Sequence, residues 1–153
     1  MSLRDRIVTD LKAAMKAKDT QRLSTLRLIS ASIKDRDIAA RSDGDEHQVP
    51  EAEIMAILAR MIKQRNESAR TYEEAGRLEL AQEERDEIAV IESYLPKQMD
   101  AAAITRAIDA EIAALGASSI RDMGRVMAAL KAKYTGQMDF AQVGPQVKAR
   151  LSV

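Results

Sequence analysis

Residues 50–76, PEAEIMAILARMIKQRNESARTYEEAG, decide the fold class. Ile54, Leu58, Met61, Ile62, Ala69 and Tyr72 recur at the spacing of one helix face, with charged and amide side chains between them. Pro50 suits a first helical position, where its missing N–H would have no partner anyway. Gly76 stands where a helix C-cap favours glycine. One long amphipathic helix is predicted, and a strand of this length and period is excluded.

Working outward, the same pattern recurs on both sides. Toward the start, Ser2 with Asp5 marks a helix start, and Leu3, Ile7, Leu11, Ala14 and Met15 make its stripe. Asp19 caps a second helix with Leu23, Leu26, Ile29 and Ile33 inward, and Arg22, Arg27, Lys34 and Arg36 around them. Ser42-Asp43-Gly44-Asp45-Glu46 reads as a turn-rich loop. After Gly76 a fourth helix carries Leu80, Ala81, Ile88, Ile91 and Leu95 inward, and Pro96 ends it because the residue before a proline disfavours helical backbone.

Past Pro96 the pattern restarts. Asp100 caps a helix with Ile104, Ile108, Ile112 and Leu115, which Gly116 ends. Ser119 with Asp122 starts the next, whose stripe is Val126, Met127, Leu130 and Tyr134, closed by Gly136. Asp139 opens a last helix with Val143, Val147 and Leu151, and Gly144-Pro145 is placed in its first turns, where proline is tolerated. The expected protein is all-α. Residues 1–96 form a four-helix bundle-like part and residues 97–153 a small three-helix module.

Composition agrees with packed helices: 46% of residues are apolar, there is no Trp, and Gly and Pro number 6 and 3. The 24 basic and 24 acidic side chains cancel, but unevenly along the chain. Residues 1–96 hold 16 basic against 19 acidic, residues 97–153 hold 8 against 5, and residues 1–41 hold 10 against 5. Basic ends around an acidic middle hint at a polyanionic partner. The absence of Cys excludes disulfides, thiolate metal sites and cysteine nucleophiles. The first residues lack the apolar region of a signal peptide, and the longest stretch free of charge is Ile112 to Ile120, far short of the roughly 20 residues a membrane span needs. A cytoplasmic protein with no membrane contact is expected.

The residues support no catalytic set. His47 is the one histidine, and a metal site with Asp43, Asp45 and Glu46 can be drawn around it. A turn with no second His or Cys lacks the fixed geometry such a site needs, so a solvated loop histidine is the reading. The glycines are scattered singly, so no phosphate-cradling loop forms. Neither metal nor cofactor is expected.

Three segments exceed plain scaffold. Lys63, Arg70 and Arg77 could line one side of the third helix and its end. Tyr94-Leu95-Pro96-Lys97-Gln98-Met99 reads as a hinge or boundary. In Ser119-Ile120-Arg121-Asp122-Met123-Gly124-Arg125, a glycine inside a helix is costly relative to alanine. Gly124 therefore suggests a close approach, either of a neighbouring helix or of a ligand backbone. Arg121 and Arg125 project from one face, Lys131 and Lys133 follow, and Lys148 lies on the last helix.

On Arg22-Leu23-Ser24-Thr25-Leu26-Arg27, Lys63-Gln64-Arg65 through Ala75-Gly76-Arg77, Tyr94 through Met99, and Asp122-Met123-Gly124-Arg125-Val126-Met127, the chain resembles the GatB/YqeY family over nearly its whole length. The resemblance implies a stand-alone relative of the C-terminal helical and tail regions of the B subunit of tRNA-dependent amidotransferase. In that enzyme the chemistry lies elsewhere and the tail contacts tRNA. Pro96, Gly116, Asp122, Gly124, Gly136 and Asp139 match the family motifs and are expected to be structural.

A tRNA-facing surface of Arg121, Arg125, Lys131, Lys133 and Lys148 is our own reading of the basic residues, since folded RNA is met mainly through phosphates and shape. Expected partners are tRNA or a tRNA-handling complex, and DNA is not expected. Two further readings stand beside it: an accessory subunit associated with a glutamine-dependent carbon–nitrogen ligase, and a protein-interaction adaptor without RNA contact.

Overall fold

The computed structural model describes residues 1–41 and 48–152, so Ser42 to His47, including the proposed turn and the His47, Asp43, Asp45 and Glu46 set, lie outside the described residues. Those residues contain seven α-helices, one short 3₁₀ turn and no strand. Contacts divide the chain between Leu95 and Pro96 into two compact units, each described by itself below.

In the N-terminal unit, α1 (Leu3–Ala17), α2 (Thr20–Ala40), α3 (Glu51–Glu74) and α4 (Leu78–Glu92) surround an aliphatic core. Ser2 and Asp19 cap α1 and α2 by accepting from the N–H groups of Asp5 and Arg22. Leu3, Ile7, Leu26, Ile29, Ile33, Ile54, Leu58, Met61 and Ile91 are buried together. The packing of α3 against α4 is the most extensive. Pro50 precedes α3 as its N-cap, and α4 stops at Glu92 instead of running to Leu95. The last three residues before Pro96 form a turn in which the Tyr94 N–H donates to Ile91 O. The proline's restriction of Leu95 thus acts a turn ahead of the ring.

A polar clasp closes the open end of this unit. The Asp37 carboxylate, buried near the end of α2, accepts two hydrogen bonds from Arg4 at 2.8 and 3.0 Å and one from the Val49 N–H at 2.9 Å. Arg4 also donates to Val49 O at 3.2 Å, and Glu51 accepts from the Leu3 N–H at 2.7 Å. The starts of α1 and α3 and the end of α2 are therefore pinned by one buried charge. The Arg4 guanidinium holds the Asp37 carboxyl below the usual carboxylate range, against the opposing effect of burial.

The C-terminal unit consists of α5 (Ala101–Leu115), the 3₁₀ turn Ile120–Asp122, α6 (Met123–Tyr134) and α7 (Phe140–Leu151). Ala107, Ile108, Val126, Leu130, Met138, Val143, Val147 and Leu151 form its core. Asp100 and Asp139 cap α5 and α7, accepting from Ala103 N and Ala141 N at 2.7 and 3.0 Å. Gly116 ends α5 at φ +62°, a conformation that side chains strain to adopt. The segment after Pro96 is tied in through Met99 N–H donating to Gln137 O at 2.9 Å and through the Gln98 side chain donating to Gly136 O.

One expectation holds in this unit and one is corrected. Pro145 lies in the second turn of α7, and the helix continues through it. The carbonyl it cannot engage belongs to exposed Ala141, where water can satisfy it. Gly124 marks no close approach of a neighbouring helix: it is exposed, and a Cβ built on it meets nothing within 4 Å. Gly144 is the glycine at the α6–α7 contact, buried with the Cε atoms of Met123 and Met127 at 3.9 and 4.0 Å from the position of an added Cβ.

Candidate functional site

The C-terminal unit spends all its acids locally. Asp100 and Asp139 are occupied as caps. Asp109 on α5 pairs with Arg150 on α7 at 2.6 Å. Glu111, buried on α5, accepts from Lys133 of α6. Asp122 accepts from the N–H groups of Ser118 and Ser119 at 3.0 and 3.4 Å and pairs with Arg125 at 2.9 Å. These bonds lower the Asp122 pKa, the Ser118 N–H first and Arg125 next, and the hydrogen bond to Glu111 raises that of Lys133.

This arrangement divides the predicted RNA-facing set. Arg125 and Lys133 are drawn into ion pairs, and Arg125 also reaches Leu115 O at 3.5 Å. The side chains of Arg121, Lys131 and Lys148 are exposed and have no acidic partner among the described residues. Lys131 and Lys133 are two residues apart, so about 200° separates them around α6. Lys148 and Arg150 stand in the same relation on α7. In each helix one cation turns to an acid of α5 and the other to the far flank. Lys97 and Arg106 are exposed and unpaired as well, and sequence reasoning passed them over because neither stands in a run of basic residues.

The second basic patch has a different setting. Lys63 and Arg70 are exposed on α3, seven residues and so two turns apart, and Arg77 lies beyond Gly76 at the start of α4. Neighbouring Arg65 pairs with Glu87 at 2.7 Å, and Arg85 pairs with Glu73. Glu84, half-buried on α4, has its pKa raised by burial first and then by Glu87. Residues 51–95 carry 6 basic and 11 acidic side chains, so these cations sit in a negative field. That field disfavours a polyanion.

Two segments singled out in the sequence meet around Tyr94. Its hydroxyl donates to Asp10 Oδ2 at 2.6 Å and accepts from Arg22 Nη2 at 3.4 Å. Arg6 stacks 5.3 Å from the ring centroid, and Arg22 lies 3.7 Å from Asp10. Burial first, then the bond to Asp10, pushes the phenol up to about 12. A phenol so strongly held in its protonated form, donating to a carboxylate, serves as a cross-link between α1, α2 and the end of α4 and not as a base. A shallow open depression lined by Thr20, Leu23, Ser24, Arg27 and Leu28 lies on α2 and brings no acid–base pair together. Among the described residues no group of three or more His, Cys, Asp or Glu side chains is placed to hold a metal ion, and no helix is long and apolar enough to cross a membrane.

A family model described as Yqey-like protein matches residues 4–151, the family expected from the sequence motifs. Curated relatives named altered inheritance of mitochondria protein 41, mitochondrial, include one from Clavispora lusitaniae, 37% identical over 86 residues, which is 56% of this chain and 47% of that protein. Those from Kluyveromyces lactis and Candida glabrata are each 33% identical, over 56% of this chain and 44% and 46% of their own lengths. The chain spans less than half the length of these relatives. Their names overturn the cytoplasmic expectation.

Proposed function

Because the chain belongs to the Yqey-like family, we propose that its C-terminal unit binds folded RNA of the tRNA type, alone or within a tRNA-handling complex, through Arg121, Lys131 and Lys148. The observation that carries this reading is the exhaustion of acidic side chains in that unit: its net positive charge resides on side chains that no described residue neutralises. Such cations gain most from a phosphate, because no existing ion pair has to be broken first. Arg125 and Lys133 hold α6 in place and contribute less to binding.

The aromatic residues support folded RNA over a single strand. Tyr72, Tyr134 and Phe140 are half-buried and Tyr94 is buried, so no exposed ring offers a platform for an unstacked base. Recognition through phosphates and shape remains, which is how helical RNA is met.

The test is a fluorescence-anisotropy titration of the full chain against total tRNA at about 50 and 200 mM salt. Three phosphate contacts predict saturable binding that weakens by about 20–50-fold over that interval. Absence of saturable binding at the lower salt overturns the proposal, and capture of a single protein partner that survives nuclease treatment would then establish the adaptor reading.

A further inference from the structure

Gly124 has no explanation inside its own unit. Its φ is not positive, unlike that of Gly116 or Gly136, so no turn demands it. It is exposed and a Cβ there meets nothing, unlike Gly144 at the α6–α7 contact. It is not a cap, because the 3₁₀ turn from Ile120 runs directly into α6 and places Gly124 within a continuous helical segment. A glycine so placed lowers helix stability relative to alanine and returns nothing to the folded unit.

Its neighbours along the surface indicate what it could serve. Unpaired Arg121 stands one turn before it, and unpaired Lys131 seven residues after it, on nearly the same line of the helix. Arg125 shares the face of Arg121 but is engaged by Asp122 and Leu115 O, and Lys133 lies on the opposite side of the helix, turned to Glu111. The line through Gly124 thus carries two cations, Arg121 and Lys131, that no described acid neutralises. Arg121 and Lys131 are roughly 15 Å apart along the axis, a span of several backbone phosphates.

We infer that the sugar–phosphate backbone of a folded RNA runs along this line, held by Arg121 and Lys131 and passing against the bare helix backbone at Gly124. This rests on the RNA reading above and adds a line of contact and a steric requirement to it. The missing Cβ leaves room for a ribose or phosphate to approach closer than any side chain would allow.

The experiment compares the wild-type chain with Gly124→Ala, by thermal unfolding and by anisotropy titration with tRNA at low salt. Alanine should raise the melting temperature by about 2–5 °C, since it fits the space and favours helix. Affinity should fall about tenfold, as when a close contact is overfilled by one methyl group. Opposite signs in the two measurements are the mark of a glycine kept for a partner. Wild-type protein that binds no tRNA overturns the RNA reading and this inference together. Wild-type binding matched by equal binding of the variant overturns this inference alone, and a lowered melting temperature overturns it by revealing an internal need for glycine.

Discussion

The two units use charge in opposite ways. In the N-terminal unit the most ordered charges are buried or half-buried and convergent: Asp37 takes three hydrogen bonds, and Asp10 is shared between Tyr94 and Arg22. In the C-terminal unit each acid takes one cation or caps one helix, and the surplus cations are left facing solvent. Convergent charge fixes the arrangement of helices, because an uncompensated partner inside would be costly. Surplus exposed charge does little for stability and remains open to a ligand. Local net charge alone would have missed the distinction, since residues 1–41 are more basic than the tail.

The contrast is broken most severely at Asp37. Asp37→Ala leaves Arg4 and the Val49 N–H without their acceptor and should cost about 3 kcal/mol, read by urea unfolding of the full chain. RNA affinity should not change. Because the folded-state pKa of Asp37 is lowered, its contribution is present above the ordinary carboxylate value of about 4 and is lost as the pH falls through the lower folded value. The variant should accordingly lose less stability than the wild type between about pH 5 and 2. A loss near zero at neutral pH would mean that the clasp does not hold the helix ends.

On the tail side, Arg121→Glu, Lys131→Glu and Lys148→Glu combined should lower tRNA affinity about 100-fold at 50 mM salt and remove most of the salt dependence. The melting temperature should shift by less than about 2 °C, because none of the three has a partner to lose. Retained affinity in a folded triple variant would erase the proposed division of labour.

A smaller effect sharpens the comparison. Tyr94→Phe keeps the ring under Arg6 and removes only the hydroxyl, so it should cost about 1 kcal/mol. Since the phenol pKa is raised to about 12, the wild-type advantage should be complete below about pH 10 and fade as the pH rises toward 12. No wild-type advantage below about pH 10 would assign the stabilisation to the ring alone.

Much of the fold was legible because its signals are local. Ser2, Asp19, Asp100 and Asp139 each cap the helix that follows within three residues, and the apolar stripes repeat within one helix. The corrections fell where spacing along the chain is silent. Gly124 looked like a packing glycine, but only the folded surface reveals that nothing stands beside it. Pro145 is legible as a residue of the first turns of α7, but only the exposure of Ala141 shows how the helix continues past it.

The candidate surface was legible as a list of cations and no further. Arg125 and Lys133 are indistinguishable from Arg121 and Lys131 in sequence, and the acid that removes Lys133 from the list lies 22 residues away on another helix. Helix class, caps and the restart after Pro96 follow from the sequence by itself, because they depend on periods of 3.6 residues and on neighbours within a turn. The pairing of Arg4 with Asp37, of Tyr94 with Asp10, and the sparing of Lys131 and Lys148 were decided by tertiary structure alone. Those outcomes depend on which side chains come within about 3 Å after the helices pack, a distance that sequence separation does not encode.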